Sequence, residues 1–156
     1  MVLNQNQFRM SSVKGTKVFG HEDNVLEVQC YDADPTMVFA PGEFVVLDAT
    51  TPAGSIPRIA KGTDVDGKFF GVILTNILTE SFLPGDFVQL GILSCGVLCE
   101  AAAAISVGQD VSFDPASGKV SAYAAPGVGD PTPTKVGVAL GKATTAGDLI
   151  KIFVRS

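Results

Sequence analysis

The sequence predicts an all-β fold, a compact β-barrel or β-sandwich-like barrel of about eight to ten short strands. The main observation is a short phrase that occurs four times: a Gly, then an acidic or amide residue, then an apolar–polar–apolar run, at Gly42, Gly85, Gly108 and Gly147. Gly adopts positive φ without steric cost and suits a tight turn. The apolar residues that follow fit a half-buried strand. The four copies therefore predict four turns that each lead into a strand.

Scattered turn residues and a shortage of helical segments support the same fold. The 17 Gly and 9 Pro residues lie between apolar runs, which is typical of turns rather than of disorder. Ala101–Ala104 is the one stretch that favours a helix. It is too short to hold a helix alone, so we expect at most one short helical turn.

The strands follow one another in short steps. Val25–Tyr31 alternates enough to be the first regular strand. Ile56 and Ile59 bracket a short edge element, because Pro57 cannot donate to a central ladder. Phe87–Leu93 and Gly96–Cys99 are predicted as either a strand pair or one bent strand. Further strands and hairpins are predicted at Phe44–Leu47, at Phe69–Leu74 after the Asp66-Gly67 turn, at Val111–Ser121, and at the final segments Val136–Leu140 and Leu149–Val154.

The chain divides into an arm and one domain. With 156 residues, it is long enough for a single domain with a real core. Residues 1–24 are polar, and their apolar side chains show neither helical nor strand periodicity. We expect residues 1–24 to be an extended N-terminal arm that lies on its own barrel or on a neighbour. Residues 25–156 are expected to form a single β-barrel domain.

A weaker repeat lies within the domain. Phe70–Leu74 resembles Val136–Leu140, and each segment leads through a polar link to a Gly-Asp turn. The two links differ in length, which favours independent use of the same strand pattern. A duplicated unit is the alternative.

Charge and composition exclude several classes of partner. The net charge is −5 and there is no Lys/Arg cluster, which argues against nucleic-acid binding. No apolar run is long enough to span a bilayer, and the first residues lack the order of a signal peptide. The composition is 46% hydrophobic and 17% charged, so we expect a protein partner or an oligomer to cover apolar surface.

The candidate metal sites are weak. A structural zinc site needs four ligands, and the chain has four candidates in Cys30, Cys95, Cys99 and its one histidine, His21. Their spacings match no usual pair of zinc-ligand motifs. Buried free thiols in a protein made in a reducing cytoplasm are favoured. Asp64–Gly67 has the start of a calcium loop without its remaining ligands, which favours a hairpin turn. We predict no metal site and no cofactor.

Catalytic motifs are also incomplete. Gly137–Thr144 resembles a phosphate-binding loop, but it has three residues between its glycines, and Ala143 follows the Lys. Gly91–Gly96 is not a nucleophile elbow, because its first Gly stands three residues before the Ser. A triad based on Ser or Cys would need His21. The sequence therefore predicts no enzyme and no catalytic residue, with a hydrolase dependent on His21 as a minor alternative.

The C-terminal half resembles the bacteriophage capsid cement, or head decoration, proteins. The resemblance lies in Gly96–Ile105, Val107–Val111, Gly118–Val120, Val136–Leu140 and Ala146–Ile152. It extends over residues 84–156, and more loosely over residues 38–75. In that family a Gly-Val-Ala-Leu type of strand, a Gly-Asp turn and a final strand close a small β-barrel.

The resemblance implies a structural virion protein that binds the outer surface of an assembled phage head and stabilises contacts between capsomers. It implies the major capsid protein as partner, self-association as a homotrimer, and synthesis in the host bacterial cytoplasm. Another virion β-barrel, such as a tail, adaptor or fibre-base component, is the alternative, followed by a small ligand-binding barrel. As contact residues we predict four apolar side chains of the arm, with the loops at residues 51–57 and 126–133 as second choices. The four arm residues are Phe8, Met10, Val18 and Phe19.

Overall fold

The computed structural model describes residues 14–15, 17–19, 25–61, 69–75, 80–92, 94–129 and 133–155, with the backbone alone for residues 17–19 and 69–70. These residues form eleven β-strands and no helix, so the predicted all-β fold is confirmed. The strands are β1 (Lys17–Phe19), β2 (Val25–Cys30), β3 (Phe44–Leu47), β4 (Arg58–Ala60), β5 (Phe69–Ile73), β6 (Phe87–Gly91), β7 (Gly96–Glu100), β8 (Asp110–Phe113), β9 (Val120–Ala122), β10 (Lys135–Ala139) and β11 (Leu149–Val154).

Five strands close a barrel in the order β2-β4-β3-β5-β6, which we call the first barrel. β2 and β4 are parallel, and the other neighbours are antiparallel. Buried side chains that include Phe39, Ile59 and Leu90 fill its interior. β4 lies between β2 and β3, so the prediction of an edge element here is wrong. Pro57 precedes the strand and takes part only through its carbonyl, which accepts the N–H of Gln29 at 3.0 Å.

The remaining six strands form a sheet in the order β1-β7-β11-β10-β8-β9. Ala101, directly after β7, makes a parallel bridge to Val120 of β9. This bridge curls β7, β11, β10, β8 and β9 into what we call the second ring. β6 and β7 belong to different sheets, so the prediction that they form a pair or one bent strand is wrong. The chain turns between them at Ser94, which has a φ of 58°.

The first barrel and the second ring repeat one topology. Strands β2 to β6 correspond in order to β7 to β11, with the same neighbours and the same parallel pair. The main-chain hydrogen bonds correspond too. The N–H of Cys30 donates to the carbonyl of Asp86 at 2.8 Å, and the N–H of Ala101 donates to that of Asp148 at 2.9 Å. Even the register shift recurs, between β3 and β5 and between β8 and β10.

The matched register explains the weak sequence repeat. The N–H of Gly42 donates to the carbonyl of Ile73 at 2.7 Å, and the N–H of Gly108 donates to that of Ala139 at 2.8 Å. Phe70–Leu74 and Val136–Leu140 are therefore equivalent segments. The structure supports a duplicated unit, against the interpretation as independent strand patterns. The unequal links hid the duplication, because loop length is tolerated far more freely than strand order.

One face of the first barrel packs on the second ring. The side chains of Phe44, Val46, Val72 and Leu74 point away from the interior of the first barrel and belong to the buried core of the second ring. The ring of Phe44 lies 5.8 Å from that of Phe113. The two units thus share a continuous apolar seam.

Candidate interaction surfaces

The predicted contact residues divide into two groups. Phe8 and Met10 lie outside the described residues. Val18 and Phe19 belong to β1, whose backbone pairs antiparallel with β7 through Lys17 and Phe19. The end of the predicted arm therefore lies on the molecule's own sheet. The contact of these four residues with a capsid stays a prediction, as does the boundary between an arm of residues 1–24 and a domain of residues 25–156.

The turn at Lys14 and Gly15 anchors the chain at the seam between the two units. The N–H of Gly15 donates to the carbonyl of Leu98 in β7 at 2.7 Å. The carbonyl of Gly15 accepts the N–H of Thr75, directly after β5, at 3.0 Å. Lys14 Nζ lies 3.4 Å from a carboxylate oxygen of Glu100. Lys14 and Gly15 are therefore fixed at this seam.

The acidic and amide residues of the four repeated phrases stabilise their own turns. In each copy the side-chain oxygen accepts the backbone N–H three residues earlier, at 2.9 Å for Glu43, 2.8 Å for Asp86, 3.0 Å for Gln109 and 3.0 Å for Asp148. The Gly before it has positive φ in all four. In all four copies the side chain that accepts stands three residues after the first residue of the turn. This constant spacing is visible in the sequence and could have predicted the role.

Asp148 shows how strongly such a turn holds its carboxylate. The backbone N–H groups of Thr145 and Thr144 donate to it at 3.0 and 2.7 Å, and the Thr144 hydroxyl donates at 2.9 Å. These donors favour the charged form and lower the pKa of Asp148 to about 2. The carboxylate is a structural acceptor and not a general acid or base near neutral pH.

The larger charge clusters are ion pairs between loops and strands. Lys61 Nζ lies 2.9 Å from Glu43, with both side chains largely buried. Asp110 pairs with Lys135 at 3.0 Å and Arg155 at 3.3 Å, and hydrogen bonds from these two cations lower its pKa. Contacts of this kind fix the positions of loops and strands, and none of these three places a nucleophile beside a base.

The three thiols of Cys30, Cys95 and Cys99 are buried, as predicted, and none of them forms a disulfide. Burial, with a smaller effect of Asp86, raises the pKa of Cys30 to about 12. Burial also raises the pKa of Cys99. A buried thiol held in its neutral form is a poor nucleophile and a poor metal ligand. Among the described residues no three His, Cys, Asp or Glu side chains are grouped as a metal site would require; His21 lies outside this set, as does Asp64–Gly67.

Buried apolar side chains occupy the interior of the first barrel. Val28, Phe39, Ile59 and Leu90 fill it and are fully buried. A shallow groove of about 300 Å³ lies outside the barrel wall, beside Glu27, Phe87 and Gln89. No helix in the described ranges has the length and apolar character to cross a membrane.

Large apolar side chains are exposed on both units. Leu47 and Ile56 lie at one end of the first barrel, where β3 leads into β4. Leu140 and Leu149 lie where β10 ends and β11 begins. An exposed apolar group on a rigid strand is a better contact than one on a free chain, because less conformational entropy is lost on binding. Both areas are candidate interaction surfaces. The first includes the loop at residues 51–57, a second choice among the predicted contacts, and the second was not among the predicted contacts.

Comparison with solved structures identifies a similar fold. The chain matches "The crystal structure of head fiber gp8.5 N base in bacteriophage phi29" with a TM-score of 0.52 and 15% sequence identity, over 84% of this chain and 92% of that one. No curated protein matches the sequence. The model of a family described as phage cement protein matches residues 27–155, which span both the first barrel and the second ring, and the chain belongs to that family.

Proposed function

We propose that this protein binds the outer surface of an assembled phage head and stabilises the contacts between neighbouring capsomers. The observation that supports this most directly is its membership of the phage cement protein family over residues 27–155. A cement protein needs a rigid body with apolar contact surfaces rather than a reaction site. The two packed units, with their buried thiols and ion-paired loops, suit that requirement.

The proposed partners are the major capsid protein and further copies of the chain, associated as a homotrimer. Several modest contacts held together bind far more tightly than each contact alone. A net charge of −5 disfavours adhesion to the packaged nucleic acid. Synthesis in the host bacterial cytoplasm and a final location on the outside of the virion complete the proposal.

The arm is proposed as one of the head contacts, through Phe8, Met10, Val18 and Phe19. β1 is the edge strand of its sheet and pairs with β7 on one side. An edge strand can accept a strand of a neighbouring protein through main-chain hydrogen bonds. Phe8 and Met10 would add apolar contacts next to such a strand.

The first experiment measures binding to purified, expanded empty shells of a phage that encodes this protein. We expect a stoichiometric amount to sediment with the shells and to raise their melting temperature, because ligands that bind only the assembled state stabilise it. Unexpanded shells are the control for surface specificity. Absence of binding to expanded shells would refute the proposed function.

The arm is tested by deleting residues 1–13. This deletion keeps Lys14 and Gly15, whose contacts with Glu100, Leu98 and Thr75 hold the seam, whereas a longer deletion would remove them. We expect weaker shell binding with an unchanged melting temperature of the free protein. Phe8→Ser combined with Met10→Ser is a milder matched variant. Unchanged affinity in both variants would remove Phe8 and Met10 from the contact surface.

The base of a head fibre is a second candidate, because the similar solved structure is described as that part of a phage. Both functions place the protein on the head, so location alone does not separate them. Electron microscopy of particles saturated with the protein does. A cement protein predicts density that ends at the two barrel-like units, and a fibre base predicts a fibre that continues outward from them.

A further inference from the structure

The internal seam shows how one unit of this chain receives another. Outward-facing side chains of β3 and β5 form a surface that we call the wall of the first barrel. It covers one end of the second ring, where Phe113 lies 7% exposed. The N–H of Phe44 also donates to the carbonyl of Gly118, in the β8–β9 turn, at 2.9 Å. Within one molecule, the wall of the first barrel is thus packed on one end of the second ring.

The second ring has the same wall, and there Leu140 is exposed. Leu74 and Leu140 are equivalent, because their N–H groups donate to the carbonyls of Gln89 and Lys151, which are equivalent positions in β6 and β11. Leu74 is 7% exposed, whereas Leu140 is 44% exposed. By the same register the wall of the second ring consists of Asp110, Ser112, Val138 and Leu140, with Phe153 of β11 beside them where the first barrel has Gly91. Ser112 is buried, whereas Asp110, Val138 and Phe153 are partly exposed.

The first barrel has an equivalent end. Its apolar side chains are exposed, whereas Phe113 of the second ring is covered. Leu47 pairs with Ile59, just as Phe113 pairs with Val120, so Leu47 and Phe113 are equivalent. Leu47 is 44% exposed, and Ile56 in the adjoining loop is 49% exposed. Each chain therefore has one partly exposed wall and one exposed end.

We propose that the wall of the second ring of one copy docks on the end of the first barrel of another copy, and so repeats between chains the contact that exists within the chain. Such a contact uses two different surfaces, so the association is head-to-tail. A second copy is favoured over an unrelated partner because each surface occupies the strand positions that its counterpart uses in the internal seam. The inference concerns self-association and does not depend on binding to a phage head.

The wall of the second ring is more polar than its counterpart. Asp110 stands where the first barrel has Phe44, and it is paired with Lys135 and Arg155. Ser112 stands where the first barrel has Val46, and its hydroxyl is 3.3 Å from that of Ser121. Val138, Leu140 and Phe153 keep the wall partly apolar. The contact between chains is therefore weaker than the internal seam, and it depends on protein concentration.

The test uses Leu47→Asp at the end and Leu140→Asp on the wall, with Val128→Asp as matched control. Val128 is a fully exposed loop residue on neither surface. Molar mass is measured by sedimentation velocity over a range of concentrations, without phage shells. We expect the wild type and the Val128→Asp variant to self-associate and each of the other two variants alone to remain monomeric.

Mixing the two variants gives the decisive result. The Leu47→Asp chain keeps an intact wall and the Leu140→Asp chain keeps an intact end, so an equimolar mixture should form a one-to-one dimer that does not grow further. A monomeric wild type, a single variant that still associates, or a mixture that stays monomeric would each overturn the inference. Melting curves of each variant verify folding, and Ile56→Asp replaces Leu47→Asp if that chain does not fold. Shell binding is measured separately, so the two proposals can fail independently.

Discussion

Alanine at Gly42 should destabilise the protein much more than alanine at Gly85, although both residues occupy the same position of the same turn. Their φ angles are 80° and 99°, so both substitutions force a side chain into left-handed backbone. The surroundings differ. A Cβ at Gly85 would meet no atom within 4 Å. A Cβ at Gly42 would stand 2.8 Å from the nitrogen of Gly15 and 2.8 Å from the carbonyl oxygen of Leu98, and would overlap Lys14.

The magnitudes follow from these two environments. The left-handed conformation costs a residue with a Cβ about 1–2 kcal/mol, and this is the whole expected loss at Gly85. At Gly42, overpacking adds about 1–3 kcal/mol, because two of the obstructing atoms belong to the backbone and cannot rotate away. The expected loss in free energy of unfolding at Gly42 is therefore about 2–5 kcal/mol.

The assay is urea unfolding at neutral pH, followed by two spectroscopic probes to verify a two-state transition. The difference between the two variants isolates the packing of the Lys14–Gly15 turn against the first barrel, since the backbone term cancels. Equal losses in the two variants would refute the seam contacts described for Gly15, and with them the anchoring of Lys14 and Gly15 between the two units.

Two further predictions concern charged groups. Lys61→Met should cost about 3 kcal/mol of unfolding free energy, because it leaves the largely buried carboxylate of Glu43 without its cation, whereas Lys135→Met at a half-exposed pair should cost less than about 1 kcal/mol. Similar losses in the two variants would contradict the burial of the first pair. Asp148 has a pKa lowered to about 2 in the folded state, below its ordinary value, so its contribution to stability is complete above about pH 4 and disappears as the pH falls through about 2. The difference in stability between the wild type and Asp148→Ala should therefore shrink over this range in pH-dependent urea titrations, and a constant difference would exclude the depressed pKa.

Local elements were predictable from the sequence because their signals are local. A Gly with an acidic residue after it needs only its neighbours to form the turn, and all four predicted turns have the expected positive φ. The hairpin of β8 and β9 and the final strands β10 and β11 also correspond to predicted segments. The position of β4 did not follow from the sequence, because whether a strand that begins after a Pro lies at an edge depends on distant partners, here β2 and β3.

The duplication was only weakly visible for a physical reason. Equivalent positions share a backbone environment and hydrogen bonds, but not the same burial. Cys30 corresponds to Ala101 inside the two units, and either side chain fills its interior. Phe44 corresponds to Asp110 on the two walls, where one is packed on the other unit and the other is paired with cations. Different packing at equivalent positions therefore accounts for the different residues there, although the topology is the same.

The same comparison explains why surface contacts could not be read from apolar residues alone. Val72 and Val138 occupy equivalent positions on equivalent strands, yet Val72 is fully buried and Val138 is only partly buried. The sequence pattern predicts that both valines lie in strands and on the same face of their strands. Which of the two walls is covered depends on how the two units pack in the folded molecule. The difference in burial becomes clear only when equivalent residues are matched by their main-chain hydrogen bonds.

The polar residues on the wall of the second ring also limit the strength of the proposed association between chains. If Asp110 were apolar, as Phe44 is, the wall of the second ring would be a second copy of the strongest contact in the molecule, and chains would associate without control. Asp110, held by Lys135 and Arg155, and Ser112 add desolvation costs that an apolar wall lacks. The remaining apolar side chains then allow an association that is weak enough to be reversible.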